Sequence, residues 1–141
     1  MDSCLMILGL SKKAGFLEVG EDCVSAAAQE IKARCILSAS DAAQGSKNKA
    51  EFMAEELSVP HIILPYTKAD LGMAVGRGTP GMLAITDVGM AANFASKLAA
   101  AFPEYAGARD VLALKLKRAK ERKAVKEKSE NKTVGKRRTR K

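Results

Sequence analysis

Apolar residues along the first hundred positions fall alternately at helical and strand spacing. Leu5, Ile7 and Leu8 direct a first helix toward a core, with Asp2 or Ser3 suited to cap its start and Gly15 to end it. Phe16-Leu17-Glu18-Val19 predicts a short strand. Gly20 opens a second helix in which Val24, Ala27, Ala28 and Ile31 share a face, and Cys35-Ile36-Leu37-Ser38-Ala39 then reads as a buried strand. A polar loop from Ser40-Asp41 through Gly45 leads to a helix with Ala50, Met53, Ala54 and Leu57 on one side, ending before Pro60. His61-Ile62-Ile63-Leu64 predicts a third strand, closed by Pro65. Thr67 and Asp70 have the spacing of a capping box for a short helix to Val75 that Gly76 terminates. Met82-Leu83-Ala84-Ile85-Thr86 predicts the last strand. Asp87 can cap a final helix in which Met90, Phe94, Leu98 and Phe102 recur every four residues until Pro103. Strand and helix alternate throughout, so the predicted class is α/β, a three-layer α-β-α sandwich.

Beyond this the pattern fades. Leu112, Leu114 and Leu116 are the last clustered apolar residues, and 117–141 contains two valines, Val125 and Val134, and no aromatic residue, too little apolar surface to offset chain entropy. The expected organisation is a domain over 1–103, a connector over 104–116 and a basic, disordered tail over 117–141, transiently helical near 117–128.

Charge sharpens this division. The chain of 141 residues is 47% apolar, enough for one domain with a core, and carries a net charge of +8. Residues 117–141 hold 13 Lys and Arg against three Glu, while residues 1–116 hold 11 Lys and Arg against 13 acids. The globular part is thus slightly acidic, and attraction for a polyanion is concentrated at the end. Lys12, Lys13, Lys47 and Lys49 are the core cations best placed to reach phosphates.

Three cysteines, Cys4, Cys23 and Cys35, form no CxxC pair, which argues against a disulfide framework or a zinc site and for core thiols in a reducing compartment. The apolar stretch from Cys4 to Leu10 follows Asp2 rather than basic residues and lacks a small-residue cleavage site, unlike a secretory signal. No run reaches membrane-spanning length. The expected protein is soluble and cytoplasmic, without membrane, metal or cofactor, and Asn131-Lys132-Thr133 is a glycosylation sequon in letters only.

Gly76-Arg77-Gly78-Thr79-Pro80-Gly81 matches GxGxxG, but it leaves a helix and enters a strand, the reverse of the dinucleotide-binding context. It is either a flexible turn or a glycine loop that lets Arg77 and the backbone approach a phosphate. His61 is the only histidine and opens an apolar strand, where a structural role is expected. No Ser-His-Asp order, paired-carboxylate pattern or Walker loop points to an enzyme.

The segments Ile7-Leu8-Gly9-Leu10-Ser11-Lys12-Lys13-Ala14-Gly15, Val19-Gly20-Glu21, Ser40-Asp41-Ala42 and the run from Thr67 to Gly76 resemble one family. Over about Leu5 to Phe102 the chain is similar to the YlxQ-type bacterial branch of the ribosomal L-seven-Ae family, whose members bind kink-turn RNA. The resemblance implies a mixed four-stranded sheet between helices, with RNA held by the start of the second helix and two nearby loops. That helix start in kink-turn binders reads Gly-x-Asn-Glu-x-x-Lys; here the matching positions are Gly20, Asp22, Cys23 and Ala26, of which only the glycine is kept. Asp41 and Lys68 sit where the family places a polar strand-end residue and a basic one. The apolar loop that covers an extruded base falls at 78–83, which adds Gly78, Met82 and Leu83 to the site. An acid at Asp22 meets phosphates poorly and Cys23 cannot accept two guanine donors, while Glu21 and Asp22 also stabilise a helix start by about 0.3–1 kcal/mol each.

The expected function is RNA binding in association with the ribosome or translation apparatus, with ribosomal or other structured RNA, the ribosome or translation factors as partners, and a monomeric state. The alternative is a protein-interaction module whose acidic helix face binds another protein while the tail adds non-specific attraction for nucleic acid.

Overall fold

The computed structural model describes residues 2–139, with side chains placed through 126. α1 (Ser3–Lys13) is capped by the Asp2 carboxylate, which accepts from the Leu5 N–H, and Gly15 follows its end in a left-handed conformation. β1 (Leu17–Val19), α2 (Glu21–Gln29), β2 (Cys35–Ser38), α3 (Gln44–Leu57) and β3 (His61–Ile63) follow in the expected order. α4 (Lys68–Val75) starts with the predicted capping box of Thr67 and Asp70 and ends at left-handed Gly76. β4 (Met82–Ile85) leads to α5 (Val88–Ala101), capped by Asp87, and a 3-10 turn over Pro103–Tyr105 precedes α6 (Ala106–Thr139).

The sheet is four-stranded and mixed, in the order β1-β4-β2-β3, with β2 parallel to β3 and both other pairings antiparallel. Alternation along the strands explains the layers. Leu17, Cys35, Leu37, Leu83 and Ile85 face one side and pack with Ile7 and Leu8 of α1, Leu71 of α4 and Phe94 and Leu98 of α5. Ile36, Met82 and Ala84 face the other and pack with Val24 of α2 and Ala50 and Ala54 of α3. The three-layer sandwich with its mixed sheet is therefore the observed architecture.

Two local expectations change. α2 stops at Gln29, and Ile31 adopts φ 58° and is 68% exposed, because the chain must turn sharply into β2 before the next helical turn could bring Ile31 to the core. The polar loop before α3 is shorter than expected, since Gly45 already lies in the helix.

The segment expected to be a connector is packed. Leu112 of α6 is fully buried in the larger core, with Tyr105, Ala108 and Leu116 against it, and the Tyr105 hydroxyl donates to the Ile63 carbonyl at 2.7 Å. The expectation of a disordered tail falls mainly on residues whose side chains lie outside the described residues. Among the described residues no helix is long and apolar enough to cross a membrane.

Candidate nucleic-acid interface

Strand register gathers most of the site residues at one end of the sheet. Met82 opens β4 opposite Ser38, the last residue of β2, and Leu83 lies opposite Val19, the last of β1. Gly20, the Ser40-Asp41 turn and the loop 76–81 must therefore converge there. Backbone bonds lock them: the Gly20 N–H donates to the Met82 carbonyl at 2.9 Å, Ala39 to Gly81 at 2.9 Å and Ser40 to Tyr66 at 2.8 Å.

Gly20 has φ 92°, which an L side chain rarely adopts, and this lets the chain leave β1 and enter α2 directly. Among the described residues no side chain caps α2, so its opening turn has free polar capacity from the backbone, with Glu21 and Asp22 beside it. Across the groove, Lys49 of α3 donates to the Glu21 carboxylate at 2.7 Å, and that hydrogen bond raises the lysine pKa. The Lys47 ammonium donates to the Ser40 carbonyl at 2.9 Å. Asp41 accepts from the Lys68 N–H at 2.8 Å and so pins the start of α4 to the end of β2. The half-buried Lys68 stem runs past Gly81 and Ala42.

The glycine-containing loop owes its path to Gly72, where a Cβ would collide with the Gly78 carbonyl oxygen. Gly78 itself has φ 59°, and Arg77 beside it is exposed. The loop is thus pressed against α4 and presents Arg77 to solvent at the chain's return toward β4.

Three sequence expectations need correction. Met82 and Leu83, expected to cover an extruded base, are buried in β4 and divide between the two cores, so the exposed loop ends at Gly81. Lys12 and Lys13 end α1 ahead of the start of β1, whereas Gly20 follows its end; they are not brought to the other site residues. Cys23 is exposed rather than in the core, because Val24 and Ala27 take the buried face of α2. Cys4 and Cys35 are buried, and complete burial pushes the Cys35 thiol up to about 12.

One constellation escaped sequence reasoning. The His61 Nε2 lies 2.8 Å from the Ser38 hydroxyl and its Nδ1 2.6 Å from a Glu51 carboxylate oxygen. A carboxylate only accepts, so Nδ1 carries a proton and donates to Glu51. The geometry is that of a serine-histidine-acid relay, but Ser38 is fully buried in the sheet and its hydroxyl presents no face to a substrate. It ties β2, β3 and α3 together, and only the parallel register of β2 and β3 reveals it. Among the described residues no three His, Cys, Asp or Glu side chains gather as metal ligands would.

The model of the Ribosomal protein L7Ae/L30e/S12e/Gadd45 family matches residues 2–95. Among solved structures, a protein of unknown function from Bacillus halodurans C superposes with a TM-score of 0.64 at 24% identity, covering 70% of this chain and 98% of that one. The 15.5kD RNA binding protein of Giardia lamblia superposes with a TM-score of 0.55 at 17% identity, covering 77% of this chain and 85% of that one. Both share the fold. No curated protein sequence matches the chain.

Proposed function

The chain belongs to the ribosomal L7Ae/L30e/S12e/Gadd45 family, and from that premise we propose that it is a cytoplasmic RNA-binding protein of the ribosome or translation apparatus, of the YlxQ-type bacterial branch, that recognises structured, kink-turn-like RNA. The carrying observation is the convergence of the uncapped start of α2, the Asp41–Lys68 clasp and the Arg77-bearing loop at one end of the sheet, within the matched span. Backbone amides at a helix start and a glycine loop suit RNA shape and unpaired bases, and Lys68 and Arg77 supply phosphate contacts. The RNA-binding protein from Giardia lamblia has the same fold. Asp22 and Cys23 in place of an amide and a carboxylate that pair with guanines make recognition rest more on the backbone and less on base edges. Residues 1–103 form the recognition unit, 104–116 attach to it through Leu112, and the basic segment 117–141 adds sequence-independent attraction.

Titration of a kink-turn hairpin RNA tests the site. The variant Lys68→Ala, Arg77→Ala should bind more than tenfold more weakly than wild type while keeping its unfolding midpoint. Equal affinity would remove these residues from the interface. It would favour a second reading, a protein-docking module, for which the observation is Phe52, 61% exposed in a groove between α2 and α3 beside the Glu21–Lys49 pair.

A further inference from the structure

At the opposite end of the sheet a cleft of about 310 Å³ lies between the start of β2 and α6. Its walls carry Arg34, Lys115, Arg118 and Arg122 over an apolar floor that includes Leu57 and Val59, and among the described residues no Asp or Glu lines it. Both walls are fixed in place. The Arg34 N–H donates to the Ile85 carbonyl at 2.7 Å, which anchors that residue to β4. α6 is anchored by Leu112 in the core and by the Lys115 ammonium, which donates to the carbonyl of Ser58 at the left-handed end of α3.

Lys115 is thereby committed to docking the helix, whereas Arg34, Arg118 and Arg122 are exposed and, among the described residues, have no carboxylate within 4.0 Å. Arg118 and Arg122 stand one helical turn apart on the same face of α6 and look across the cleft at Arg34. An anion entering the cleft is met by three charges of one sign on planar guanidinium forks, which match phosphate oxygens two at a time.

We infer that this cleft is a second phosphate-binding site, contacting the RNA backbone at a distance from the Gly20–Asp41–Arg77 end; the inference rests on the RNA-binding reading above. A backbone of repeating charge, rather than a small anion, is the fitting ligand because the adjoining face of α6 carries Lys126 with Arg118 and Arg122 against one acid, Glu121, and the whole of 117–141 holds 13 Lys and Arg. Arg34 and Asp41 flank β2, so the two sites lie roughly 20 Å apart along the strand direction at about 3.3 Å per residue. One folded RNA can bridge them, its irregular part at the loop end and a flanking segment in the cleft.

Full-length protein and the variant Arg34→Gln, Arg118→Gln, Arg122→Gln should be titrated at several salt concentrations with a kink-turn hairpin and with a 20-nucleotide polyuridine. Three lost phosphate contacts should lower the log–log salt slope by about 2–3 units on both RNAs, at about 0.7–0.9 per contact, and weaken both equally. Arg118→Gln alone should lower it by about 0.7–0.9, which keeps the test available if the triple variant unfolds. Lysine at all three positions should retain the slope. Unchanged slopes with wild type still binding RNA would overturn the second site alone, whereas a wild type that binds neither RNA would overturn the RNA reading and this inference together. Competition by polyglutamate that depends on the three arginines, with RNA slopes unaltered, would assign the cleft to an acidic protein and likewise overturn it.

Discussion

The two ends of the sheet treat charge differently. Where β1 and β2 finish, polar side chains are engaged by the protein itself: Lys49 with Glu21, Lys47 with the Ser40 carbonyl, Asp41 with the Lys68 amide. Where β2 begins, three guanidinium groups line a cleft with no acid among the described residues. A lysine already paired with a carboxylate offers a phosphate little, since the new contact must replace the old, and exposed pairs are worth only about 0–1 kcal/mol in any case. The first end commits most of its polar groups to holding a shape and leaves Arg77 exposed, whereas the second leaves three guanidinium groups together. Net charge over 1–116 conceals this, because it counts Lys49 and Arg34 alike.

The comparison depends first on α6 being part of the fold. Leu112→Ala removes a fully buried side chain and is expected to cost about 2–5 kcal/mol in urea unfolding. A loss below about 1 kcal/mol would mean that α6 is loosely attached and that the basic cleft lacks a stable wall. Next comes the shape of the engaged end. Gly72→Ala drives a methyl group into the Gly78 carbonyl, so α4 or the loop must move, at about 1–3 kcal/mol. RNA titrations of this variant should show lost preference for the kink-turn hairpin over polyuridine with the salt slope intact. A fallen slope and retained preference would reverse the roles given to the two ends.

The smallest effect is a pH dependence at the engaged end. Burial raises the Asp2 carboxyl, but the Tyr66 hydroxyl donating at 2.6 Å and the Leu5 and Cys4 amides outweigh it, so its pKa in the folded protein is lowered. The unfolded chain then binds the extra proton first. The resulting stability is present above the ordinary carboxylate pKa of about 3.9 and is lost as pH falls through the lowered value. Asparagine can still cap α1, so wild type and Asp2→Asn should differ slightly in unfolding midpoint at pH 7 and converge in acid. A constant difference across pH would show that the carboxylate charge is not what ties α1 to Tyr66.

Much of the architecture was legible in the sequence because its determinants are local. Caps at Asp2, Thr67-Asp70 and Asp87, stops at Gly15 and Gly76, and apolar periodicity placed every element of 1–101 in the right order. Ile31 misled because helical spacing continues past Gln29 in the letters but not in the backbone. Met82 and Leu83 misled because matching the family's loop by position ignored that both begin a strand with a core on each side. Leu112 looked like a remnant in a charged run, since nothing near it in sequence shows that the Phe94–Leu98 face of α5 is waiting for a cover.

The sequence by itself therefore determined the elements of 1–101, their alternation and the layered sandwich, because each is set by residues within a turn or two of one another. Tertiary structure alone decided which charges are spent and which are free. Glu21 meets Lys49 across 28 residues, Asp41 meets Lys68 across 27, and Lys115 reaches Ser58 across 57. Those pairings, like the approach of Arg34 to Arg118 and Arg122, follow from strand order and register and from the path of α6 over the end of the sheet, and no local pattern records them.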